Sequence, residues 1–229
     1  MSQKNSITIH SSDSTVSRFE TLIPQFQGYH DISDSKLLSK YIKKVERIVR
    51  TSFEYRKYIN FLKNELDMSR CTFFNEIDIK KVKKVQIEFH HHPFTLYDIV
   101  YILINKALRT MDIAEDTFIN PLIIADEVCE LHFRNEVGLI PLSTTVHELA
   151  HNGDIFIPVN LVFGNLKTFV KKYKEFIPEE LELKLEIYKD ISKANQNIPV
   201  LEKNIRYIQI EDRKKLNKIL KMEKLKNAA

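Results

Sequence analysis

The stretch GLIPLSTTVHELAHNG, Gly138–Gly153, decides how this chain is read. Its first half, GLIPLS, is a short apolar run that predicts a strand. Ser143 or Thr144 then suits the N-cap of a short helix, and Gly153 suits its C-terminal stop. Within that helix His147 and His151 are four residues apart. A helix puts such a pair on one face, one turn apart, where two imidazoles can share a metal ion.

The same residues spell H-E-x-x-H, the signature of zinc peptidases in which Glu148 would activate a metal-bound water. The neighbourhood fits that reading poorly. Pro141 leaves room for a helix of barely two turns, and no H-x-x-G-x-x-H extension follows. The third ligand would have to be a glutamate such as Glu175, Glu179 or Glu180, none in a distinctive setting.

The better partner lies upstream, in KKVKKVQIEFHHHP at residues 80–93. Val85, Ile87 and Phe89 alternate with Gln86, Glu88 and His90, which predicts a strand that ends in His90, His91 and His92. Three of the chain's eight histidines stand together there. Strand, histidines, proline, a second strand and a short helix carrying H-x-x-x-H form an ordered set.

In EFHHHP and GLIPLSTTVHELAHNG the chain resembles the ββα-metal, or HNH, nucleases, most closely the version found in colicin-type DNases. It also resembles HNH-like proteins of bacteriophages. The resemblance covers about the central third of the chain. It implies a metal site made by His90, His147 and His151, with His91 as the general base that activates water. Glu88 would be a carboxylate orienting a ligand histidine. Ser143 and Thr144 would offer phosphate contacts at the helix N-terminus. The chain departs from the family pattern at Gly138, nine residues before His147, where asparagine is common. His92 competes with His91 for register.

The flanks add less. Four glycines and no G-x-G-x-x-G or P-loop argue against a phosphate-cradling loop. Two isolated cysteines, Cys71 and Cys129, exclude a four-cysteine zinc site and read as reduced core residues. The net charge of +4 permits nucleic-acid binding without demonstrating it. Lys83 and Lys84, in the strand that leads to the histidines, are the best basic candidates, with Arg134 a further one. His132, in CELHFRN, reads as structural rather than as a ligand. Apolar periodicity predicts a helical stretch from Ser35 to Asp67 whose second helix covers about Phe53 to Leu66, a helix within PFTLYDIVYILINKALRTMD capped by Thr95, and one over PLIIADEVCELHFRNE, opened by Asn120-Pro121 and stopped by Gly138.

The expectation is therefore an α+β protein, mostly helical, with a central ββα-metal motif. Residues 1–33 form a polar segment, 34–79 a helical region, 80–160 the motif with a helical insertion, and 161–229 a second helical region. The function expected from the resemblance is a metal-dependent endonuclease acting on DNA. Zinc, nickel, magnesium or manganese would serve as cofactor. Neither a signal peptide nor a membrane span is visible, so a cytoplasmic setting is expected, with protein partners on the flanking helices. The alternatives are the Glu148-dependent peptidase, a catalytically inactive phage protein of the same fold with a binding or structural task, and a nucleic-acid-binding protein with a structural metal.

Overall fold

The computed structural model describes residues 34–74, 77–80, 86–110 and 119–194. The polar N-terminal segment, Lys83 and Lys84, and the part of the expected C-terminal helical region beyond residue 194 lie outside the described residues. The protein is α+β and mostly helical.

The chain enters through α1 (Ser35–Thr51) and α2 (Phe53–Asn64). Asp34 caps α1, accepting the amides of Lys36 at 2.8 Å and Leu37 at 3.3 Å. Ser52 ends α1 and starts α2. Its amide reaches the Val49 carbonyl, and its hydroxyl accepts the Tyr55 amide at 3.0 Å. Tyr41, Ile42, Val45 and Val49 make the buried stripe of α1. Each such side chain contributes about 1.5–3 kcal/mol by leaving water.

Strand β1 (Ile87–His91) pairs antiparallel with β2 (Leu139–Ser143). Between them run α3 (Leu96–Thr110) and α4 (Pro121–Phe133). Thr95 and Asp98 cap α3 reciprocally: the Asp98 amide donates to Oγ1 of Thr95 and the Thr95 amide to the Asp98 carboxylate. Asn120 caps α4, with Pro121 in the first turn as expected. The stop of α4 corrects the expectation. The helix ends at Phe133, and Asn135, at φ 52°, takes the left-handed position assigned to Gly138. Gly138 has another task. Its backbone approaches that of His92 so closely that a Cβ there would lie 2.0 Å from the His92 carbonyl oxygen.

After β2 the chain turns directly into α5 (Thr144–Asn152). Gly153, at φ 74°, ends it. Then come α6 (Leu166–Tyr173) and α7 (Glu179–Ala194). The two-stranded sheet has two occupied faces. Ile140 and Leu142 pack with Val146 and Ala150 of α5 in a small cluster. Phe89 and Leu139 join the main core, which α1 to α4, α6 and α7 line. One buried ion pair ties α7 to α3: Lys184 Nζ lies 3.1 Å from the Asp98 carboxylate, and both side chains are almost fully covered. No helix among the described residues is long and apolar enough to cross a membrane.

Candidate metal centre

Strand alternation sends neighbouring histidines to opposite faces of β1. The register pairs His90 with Ile140 and Glu88 with Leu142, on the face that α5 covers. His147 and His151 look back at that face from α5. The ring of His90 meets His147 at a centroid distance of 5.0 Å and His151 at 4.8 Å. One ring nitrogen from each of the three lies within 4.8 Å of the other two. This is the set of three expected from the sequence. None of the glutamates required by the peptidase reading enters this cluster.

The donor set fits a metal ion on chemical grounds. Glu88 accepts a hydrogen bond from Nδ1 of His147. With its proton held on Nδ1, His147 turns the lone pair of Nε2 toward Nε2 of His151, 3.0 Å away. Zinc–nitrogen bonds of about 2.0–2.1 Å in tetrahedral geometry put neighbouring ligand atoms about 3.3–3.4 Å apart, so a small opening of this pair would admit the ion. Two imidazole lone pairs that face each other repel unless a proton or a cation lies between them. Burial pushes the pKa of His90 well below the usual histidine range, helped by its neighbours His92, His151 and His147 and by Lys184. The ring is thus neutral at pH 7, the form that binds metal.

His91 points the other way, into the main core. Its Nε2 lies 2.9 Å from Nε2 of His132, and its ring stacks over Tyr55 at a centroid distance of 6.5 Å. Burial, and then the neighbouring His132 and Arg50, lower its pKa well below normal. His92 is buried against Tyr188, with ring centroids 4.3 Å apart. Its Nε2 has no hydrogen-bond partner. Of the three neighbouring histidines, His90 is the one whose ring nitrogen lies with those of His147 and His151.

A cavity of about 340 Å³ opens beside the cluster, between α1, the end of β1, α5 and α7. His90, His91, His92, His147 and His151 line it together with Lys43, Arg50 and Lys184. Arg50 and Lys184 were not singled out from the sequence, and Lys43 stands in a lysine pair, Lys43–Lys44, that reads first as a solvated helix face. Lys184 did leave a trace there: it interrupts the apolar stripe Leu181, Leu185, Tyr188 and Ile191, where a lysine is out of place. Lys43 and Arg50 look like any solvated helix face.

Other expected contacts lie elsewhere. Arg134 is exposed and paired with Glu130 on its own helix, away from the cavity wall. Ser143 is buried and makes no capping bond, Thr144 is exposed, and neither lines the cavity. Glu148 is exposed on α5. Both cysteines are free and buried.

Residues 6–225 match the family model of the Bacteriophage G278-like virion protein. The chain belongs to this family. It is therefore a bacteriophage protein, as the resemblance to phage proteins implied. No curated protein and no solved structure matches it.

Proposed function

We propose that this virion-family protein is a metal-dependent phosphodiesterase that cleaves DNA, carried in the particle or acting in the host cytoplasm. One observation carries the reading. Two antiparallel strands and the helix that follows bring His90, His147 and His151 to one point, with Glu88 holding the tautomer of His147. That geometry supports the ββα-metal resemblance read in EFHHHP and GLIPLSTTVHELAHNG.

His90, His147 and His151 would hold a divalent ion, with zinc or nickel best suited to three imidazoles and magnesium or manganese also candidates. Such an ion supplies positive charge to the scissile phosphate and to the leaving oxygen. The chain's own groups do the rest. Lys43 and Arg50, beside Glu46, would give the cavity mouth its attraction for a phosphodiester, while the Lys184 charge on the same wall is held by Asp98. His91, which reaches the cavity from the opposite face of β1 to His90, would take the proton of the attacking water. Glu88 keeps the His147 ring from turning.

The test is plasmid nicking with zinc, nickel, magnesium and manganese in turn. The parent nicks, whereas His147→Ala and His91→Ala lose at least 100-fold. Glu148→Ala retains activity. Loss confined to the Glu148 variant, or to peptide hydrolysis, returns the chain to the peptidase reading.

The family description favours a second reading, in which the metal site only staples the ββα unit of a virion component. Metal then raises the melting temperature, and no preparation nicks DNA.

A further inference from the structure

We infer that His132 is a positioning residue that fixes the tautomer and ring orientation of His91, through a directed hydrogen-bond chain from His91 to the Val128 carbonyl. This rests on the reading of His91 as general base.

The direction follows from the end of the chain. Nδ1 of His132 lies 2.7 Å from the carbonyl oxygen of Val128, one turn earlier on α4. A carbonyl only accepts, so Nδ1 carries the proton. His132 is wholly buried, with its ring held edge-on by Tyr55 at 5.1 Å and Tyr58 at 5.6 Å. Burial lowers its pKa to about 4, so it is neutral at pH 7 and has only the one proton. Its Nε2 is then a bare acceptor. Nε2 of His91, 2.9 Å away, must donate to it. The only lone pair left on His91 is at Nδ1, and His91 lines the cavity beside His90.

A histidine that must accept a proton from water needs its basic nitrogen specified, because its two tautomers present different atoms. An acidic partner usually does this. Here a neutral histidine 41 residues along the chain does it. An apolar side chain would fill the same space between Tyr55 and Tyr58, but it would leave the His91 Nε2–H buried without an acceptor.

The experiment uses the full-length zinc-loaded protein. Long-range proton–nitrogen NMR reads the His91 tautomer, and steady-state cleavage of a DNA oligonucleotide reads kcat and KM. The parent should show His91 protonated at Nε2 and bare at Nδ1. His132→Phe should lose that single tautomer and lower kcat by at least 10-fold, with KM and zinc affinity unchanged. His132→Gln, whose amide oxygen can accept the same proton, should recover at least half of the lost tautomer signal. A parent with His91 protonated at Nδ1 overturns the proposal. So does a folded His132→Phe with kcat at the parent level. If the tautomer behaves as stated but the parent cleaves nothing, the positioning stands and the nuclease reading falls.

Discussion

The Glu88 carboxylate on β1 accepts the Nδ1 proton of His147 on α5, across the junction of sheet and helix. The bond lies outside the cluster itself, yet it decides which nitrogen of His147 faces His151. Glu88→Gln keeps the shape but weakens the acceptor. Divalent-metal affinity should fall by about 10–100-fold, the usual effect of losing such a partner. Competition with a fluorescent chelator measures it. Unchanged affinity would mean that the bond orients nothing.

Metal should also stabilise the fold. At 100-fold excess over Kd, zinc adds about 2.7 kcal/mol. For a chain of this size that is a rise in Tm of about 5–11 °C. Chelator should reverse the rise, and His151→Ala should abolish it.

Acid should weaken the protein early. His132 is buried neutral, and its pKa falls to about 4 from the ordinary histidine value of 6.5. His90 and His91 shift the same way. The unfolded chain therefore binds protons that the folded chain refuses. The associated stability is complete above about pH 6.5 and is lost as pH falls toward 4. Each such histidine contributes a slope of up to about 1.4 kcal/mol per pH unit in that window. Urea titrations of metal-free protein at pH 7.5 and 5.5 should show a lower midpoint at 5.5. A higher midpoint at pH 5.5 would show these rings to be charged in the fold.

Arg50 offers a clean separation of binding from stability. Its side chain is largely exposed and only loosely paired with Glu46, at 3.7 Å. Arg50→Ala should change stability by no more than about 0.5 kcal/mol. If the cavity takes a phosphodiester, the same change should raise KM for DNA about 5–10-fold. An unaltered KM would remove Arg50 from the substrate path.

Gly138→Ala should act on the fold rather than on the chemistry. The added Cβ would meet the His92 carbonyl oxygen at 2.0 Å and the Val162 side chain at 2.8 Å. One of these backbones has to give way, at a cost of about 2–4 kcal/mol. A lowered urea midpoint checks this. A glycine at the position where the resembled family often has asparagine thus has a steric reason here.

The sequence by itself determined the local pieces. The alternation in QIEFHH specified a strand, four-residue spacing put His147 and His151 on one face, and Asn120, Pro121 and Gly153 marked helix ends. These signals act over a few residues, where backbone sterics and capping decide. Asn135 took the helix stop from Gly138 because either residue tolerates a left-handed backbone, and only packing chose between them. The tertiary structure alone decided what His90, His91 and His92 face. Antiparallel pairing with β2 turned His90 toward α5 and His91 toward His132 on α4, residues far apart in the chain. It also carried Lys43 and Arg50 from α1 and Lys184 from α7 to the same cavity wall. A lysine on an exposed helix face and one beside a site have the same local pattern. The difference comes from burial of the apolar stripes, which fixes where each helix lies and hence where its charges point.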